Sequence, residues 1–241
     1  MVLYTLSACA TPIVTLFVWL TFTPDNNPSV FSRQTLIWYF LLTMLVKLIT
    51  SAWGGYFLSN RIRRGAISPL LVKPVNLIID YLGNNIAEKI VKLIILIPIL
   101  GFLINLFDLK YFAISLATFI IFIVSVLMAA AIYFLIDYCL GLLAFWLDET
   151  SAAGDFIGLL NNLFSGVLIP IAAMPLFIKN IGNFLPFRYT VSLPIEILLG
   201  QLTGSQLLIG LGLQTTWLLL MWFLYKIMWK QGLKLYSGTG A

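Results

Sequence analysis

Long apolar runs separated by short polar turns make up nearly the whole chain, and their lengths predict membrane-crossing helices. A spanning helix needs about 20 mostly apolar residues. Residues 2–22 qualify, without a charge, and the turn Thr23-Pro24-Asp25-Asn26-Asn27-Pro28 stops them. A second span is predicted over 36–58, a third over 90–107, a fourth over 112–147, a fifth over 156–178 and a sixth over 206–228. The fourth run, roughly 36 residues, would reach about 54 Å as one helix against a hydrocarbon core of about 30 Å. It must tilt, break near Asp137 or Gly141, or protrude, before Asp148-Glu149-Thr150-Ser151 closes it.

Two connections are long enough to carry structure. From Leu77, apolar Ile78, Tyr81, Leu82 and Ile86 alternate with Asp80, Asn84, Asn85 and Glu88. That spacing predicts an interfacial helix leading into span three. Residues 175–200 are apolar but broken by Pro175, Gly182, Pro186, Pro194 and Gly200, which predicts a re-entrant or interfacial helical pair. The predicted fold is an all-α polytopic membrane protein, one transmembrane domain over 1–241 with six spans.

Composition agrees. The chain is 61% hydrophobic and 10% charged, where soluble domains carry about 25% charge, so the excess apolar surface must face lipid. The net charge of +5 is mostly topological. Arg61, Arg63, Arg64 and Lys73 follow span two, and Lys226, Lys230 and Lys234 close span six. Six spans put these on the side of the N-terminus, whereas Arg33, Lys110, Lys179 and Arg188 fall on the other. The positive-inside rule therefore predicts a cell (inner) membrane protein with both termini cytoplasmic. Nucleic acid is not the expected partner. Trp19, Trp38, Trp53, Trp146 and Trp229 fall near span ends, as an aromatic belt requires. Residues 2–22 lack the basic start and short apolar core of a signal peptide.

Several chemistries drop out. The chain has no histidine, and its two cysteines, Cys9 and Cys139, lie far apart in apolar runs as inert thiols. No metal site is expected, and no Gly-rich loop ending in Lys-Ser or Lys-Thr is present to cradle ATP phosphates.

The connection after span two reads IRRGAISPLLVKPVN, and it resembles the cytoplasmic signature of a permease family within the type-2 ATP-binding-cassette exporters. LLAFWLDETS, LFSGVLIPIAAMP, LPFRYTVSLPIEILLG and WKQGLKLYSGTGA resemble, in order, the end of span four, the exit of span five, the external elements before span six and the basic tail. The resemblance covers about residues 35–241 and extends to a multidrug- or daunorubicin-resistance-like group. Members usually begin with an interfacial helix ahead of span one, whereas the first apolar run here starts at Val2.

The resemblance implies a permease subunit of an ABC exporter, without enzymatic activity or cofactor of its own. It implies a separate ATPase subunit that binds ATP and magnesium, and a second permease chain, identical or different. The connection over 60–89 would contact the ATPase, with Arg61, Arg63, Arg64, Gly65, Lys73 and Pro74 as contact candidates. An ATP-independent channel and a lipid-modifying membrane enzyme are the alternatives. The enzyme would need clustered carboxylates, His or Cys at one interface, and the sequence lacks that cluster.

Four further residues are candidates for a pathway or gate. Lys47 stands within a span, where a charge costs at least about 2.5–3.5 kcal/mol; it either lines a path or reaches a partner such as Asp137. Asp137 itself reads as interfacial. Glu196 reads as the anchor of a short external helix or a gate, and Arg188 could pair with it or with lipid phosphate. Asp148, Glu149 and Asp155 lack a neighbouring nucleophile or metal ligand, and Ser151 or Asp155 is expected to cap the fifth helix.

Overall fold

A computed structural model describes residues 2–22, 32–72, 76–109 and 114–236. The polar turn after span one, Lys73, Pro74 and Lys110 lie outside the described residues. Among the described residues the fold is all-helical. The α-helices are α1 (Val2–Phe22), α2 (Arg33–Thr50), α3 (Gly54–Arg63), α4 (Ser68–Leu71), α5 (Leu77–Leu106), α6 (Leu116–Leu142), α7 (Ser151–Phe164), α8 (Leu176–Phe184), α9 (Ser192–Leu198) and α10 (Gly204–Leu235). Short 3-10 turns cover Leu143–Phe145, Ile171–Ala173 and Pro186–Thr190.

Four segments are long and apolar enough to cross a membrane: Arg33–Arg63, Leu77–Leu106, Leu116–Phe145 and Gly204–Leu235, with Ala10–Phe22 a shorter apolar stretch. Their starts are set by local chemistry. Ser32 and Ser115 each accept the backbone N–H three residues on, at 3.1 Å, and Thr203 with Gln206 forms a capping box.

The helices depart from the expected spans in four places. The second span is not one helix, because α2 stops at Thr50 and α3 begins at Gly54. The interfacial helix expected before span three and the span itself are one 30-residue helix, α5. The fourth run does not break at Asp137 or Gly141; α6 passes both and tightens into the 3-10 turn. The fifth run is interrupted: α7 ends at Phe164, Gly166 takes φ +89°, and after the 3-10 turn at Ile171–Ala173 α-helix resumes at Leu176.

That interruption leaves main-chain groups without helical partners, and they find partners elsewhere in the protein. Tyr39 donates to the Gly166 carbonyl at 2.9 Å, and the Trp19 indole N–H donates to the Leu168 carbonyl at 3.1 Å. Gly166 is required twice over, since a Cβ there would lie 2.4 Å from the Tyr39 hydroxyl.

α6 is the hub, packed against α2, α3, α9 and α10. The main core joins Leu36, Phe40 and Val46 of α2 with Val126 and Ile132 of α6 and Leu193 and Ile195 of α9. A second core, around Leu58, Ile62, Ile67, Tyr138 and Leu142, lies where α3 and α10 meet the end of α6. There Tyr138 takes Tyr81 of α5 and Tyr225 of α10 edge-on, with ring centroids 5.8 and 5.5 Å away. By contrast, α5 and α10 turn most of their apolar surface outward. Helices pack closely where side chains are small: a Cβ on Gly55 would stand 2.2 Å from the Asp137 carbonyl oxygen, and one on Gly141 2.8 Å from that of Gly55.

Candidate functional site

α3 ends in the basic run, and burial alternates through it. Ile62 and Ile67 pack in the second core and Gly65 is buried, while Arg61, Arg63 and Arg64 are exposed. Gly65 has φ +70°, a left-handed conformation that suits glycine, and it reverses the chain into the one-turn helix α4. Tyr236, just past α10, fixes this turn. Its hydroxyl donates to the Gly65 carbonyl at 2.8 Å and lies 2.8 Å from Ser68 Oγ. The Tyr236 ring packs on Phe145, and Phe145 lies so close to Gly232 that a Cβ there would overlap its ring.

The arginines divide their work. Arg63 donates to the Asp148 carbonyl and to Asn60 Oδ1, tying α3 to the end of the fourth span. Arg61 lies 3.6 Å from Asp80 of α5 and over the Tyr81 ring. Its ion pair is half-exposed and is worth at most about 1 kcal/mol. Arg64 makes no ion pair among the described residues. Beyond the turn, Leu71 and Val72 are apolar and exposed, Val72 by 87%.

Of the pathway candidates, Arg188 and Glu196 come together, and Asp137 lies apart from them. Lys47 is half-buried one turn before the end of α2, and its carbonyl accepts the Ser51 N–H. Asp137 accepts the Gly55 N–H at 2.8 Å, so its carboxylate sits on the start of α3, where free N–H groups and the helix dipole favour negative charge. Arg188 and Glu196 form an ion pair at 2.9 Å at the opposite end of the bundle. Glu196 also accepts from Ser192 at 2.6 Å, and Arg188 donates to Asn183. This network closes α9, all seven of whose residues are buried. Burial raises the Tyr189 phenol above its ordinary range and keeps it a donor to the Asn183 carbonyl.

The expected cap on the fifth helix is not there. Thr150 precedes α7 without a side-chain cap, and Ser151 donates instead to Glu149 at 2.7 Å.

Three features were not singled out from sequence. Lys92, inside the third span, forms an ion pair with Glu88 one turn earlier in α5. The Trp53 indole N–H, in the break between α2 and α3, donates to Glu88. Gln214 of α10 is fully buried, accepting from Ser125 Oγ and donating to the carbonyls of Ser125 and Tyr189. The i,i+4 spacing of Glu88 and Lys92 was a readable signal. A lone glutamine in an apolar run gives none.

Three cavities adjoin these groups. One of about 480 Å³ lies between α3 and α5, lined by Trp53, Phe57, Arg61, Arg64, Tyr81 and Asn84 among others. A second, about 320 Å³, lies beside Asp137 and the start of α7. The third, about 330 Å³, adjoins Arg188, Glu196 and Lys179. Among the described residues no group of three or more Cys, Asp or Glu could hold a metal ion.

A family model described as ABC-2 family transporter protein matches residues 10–240. No curated protein and no solved structure matches the chain.

Proposed function

Because the chain belongs to the ABC-2 family of transporter proteins, we propose that it is the permease half of an ATP-driven exporter. A separate ATPase subunit supplies the energy, and a second permease chain, identical or different, completes the pathway. The daunorubicin-like grouping belongs to the same proposal, as do six crossings in the inner membrane with both termini cytoplasmic. In that arrangement α1 and the interrupted fifth run add the two crossings beyond the four long helices.

One observation carries the ATPase contact: the turn after α3 projects basic and apolar side chains while its backbone is fixed from behind by Tyr236. A docking element needs an exposed tip and a rigid base, so that force on the tip moves the spans. Arg64, Leu71 and Val72 form the tip, with Lys73 and Pro74 next in sequence. Arg61, Arg63 and Gly65 shape the base. The partner binds ATP and magnesium, and this chain contributes no catalytic group.

Co-expression with a candidate ABC ATPase chain tests the reading. A cysteine at Val72 is expected to cross-link to that ATPase, and export should cease when the ATPase's phosphate-binding lysine is replaced. Transport by the purified chain without ATP would instead establish the channel alternative.

A further inference from the structure

The cavity between α3 and α5 carries arginines at one end and, at the other, aromatic side chains with the paired Glu88 beside Trp53. Arg61, Arg64 and Asn60 sit at the end of α3, whereas Trp53, Gly54 and Phe57 sit at its start. The ten residues of α3 separate these ends by roughly 15 Å. Phe134 of α6 forms part of the apolar wall, and α5 supplies Tyr81, Asn84, Asn85 and Glu88.

Charge at the mouth is positive. Asp80 offsets part of Arg61, Arg64 makes no ion pair among the described residues, and Glu88 is matched by Lys92 on its own helix. The Tyr81 hydroxyl and Asn85 Oδ1 are buried without a hydrogen-bond partner among the described residues. Other faces of the two helices carry exposed apolar side chains: Tyr56 on α3, and Ile79, Leu82 and Ile86 on α5. Guanidinium groups recognise phosphate oxygens in paired geometry, and basic pockets between spans take anionic headgroups.

We infer that this cavity seats an anionic phospholipid, its phosphate at Arg61 and Arg64 and its upper acyl chain against Trp53, Phe57 and Phe134. A free phosphate would use the arginines and leave the apolar wall without a role. The site goes beyond the exporter reading, since it needs only that α3 and α5 border a bilayer. Arg64 is shared with the proposed ATPase contact, so lipid and ATPase would draw on the same guanidinium.

The test is native mass spectrometry of the purified full chain in detergent. Phosphatidylglycerol and phosphatidylcholine of equal chain length are added separately. Phosphatidylglycerol adducts are expected to exceed phosphatidylcholine adducts about tenfold. R61Q/R64Q should bring the two lipids level, and F57S should lower the phosphatidylglycerol adduct without altering either arginine. K179Q, at the other end, should leave it unchanged. Equal adducts of both lipids on the wild type would overturn the site. So would full binding by R61Q/R64Q, or displacement of phosphatidylglycerol by millimolar inorganic phosphate, which would mark a phosphate site. If R61Q/R64Q does not fold, F57S decides: phosphatidylglycerol binding at the wild-type level refutes the lipid. Loss of ATPase co-purification in R61Q/R64Q with lipid adducts intact would assign the arginines to the subunit interface alone.

Discussion

A carboxylate inside an apolar span defaults to a transport role, and Asp137 shows a competing use. It receives the Gly55 N–H, a group 82 positions away in sequence that would otherwise be an unsatisfied helix-start donor. If that is its main work, Asp137→Asn keeps an acceptor in place and should retain export. Asp137→Ala should lose about 1 kcal/mol of stability, read as a lower melting temperature in detergent. Export abolished by the asparagine variant at normal stability would instead assign Asp137 to the path. Gly55 is the stricter position. Gly55→Ala drives a methyl into the Asp137 backbone, which cannot swing aside as a side chain can. A loss of about 1–3 kcal/mol is expected, measured by the same melting assay. The sequence marked Asp137 as unusual because charge in an apolar run is conspicuous. It could not name the partner, because Gly54-Gly55 carries no side chain whose chemistry points across 82 residues.

At the scale of elements, α5 shows why charge misplaces a boundary. Glu88 and Lys89 read as the edge of a span beginning at Ile90, yet the helix starts at Leu77 and continues through them, with Glu88 and Lys92 neutralising each other one turn apart. The pair also reaches the break in the second span: Trp53 donates to Glu88, and Lys92 lies 5.9 Å from the Trp53 ring centroid. Removing one member leaves a buried charge, whereas replacing both leaves none. Glu88→Gln or Lys92→Met alone should therefore destabilise by about 3–5 kcal/mol, and the double variant by clearly less. A double-mutant cycle of detergent melting curves measures the difference, and simple additivity would show that the pair contributes nothing. The fifth run failed for the opposite reason. Its residues are apolar enough for a span, but apolarity does not report backbone path. The interruption depends on Tyr39 and Trp19, two donors from distant helices that satisfy main chain a continuous helix would have satisfied itself. Span six was legible because α10 runs unbroken through it.

For the molecule as a whole, coupling requires that the proposed docking turn move more than itself. Three elements meet behind it. Arg63 ties it to the Asp148 carbonyl after the fourth span, Tyr236 ties it to the end of α10, and Phe145 wedges between Tyr236 and Trp229 with ring centroids 6.1 and 6.2 Å away. A push on Arg64 or Val72 would then displace α3, α6 and α10 together rather than bend a loop, since packed interfaces shift between discrete arrangements instead of deforming continuously. Tyr236→Phe separates this role from mere stability. It keeps the ring on Phe145 and removes only the hydroxyl contacts to Gly65 and Ser68, for a stability cost of about 1 kcal/mol. With the ATPase chain in proteoliposomes, the variant should still bind the ATPase and hydrolyse ATP, while substrate exported per ATP falls severalfold. Wild-type coupling in Tyr236→Phe would mean that force reaches the spans by a route other than this turn. Loss of ATPase binding would mean that the hydroxyl shapes the docking surface itself. A fall in transport per ATP with binding intact is the result that only a lever gives, because a purely structural hydroxyl lowers the melting temperature without changing that ratio.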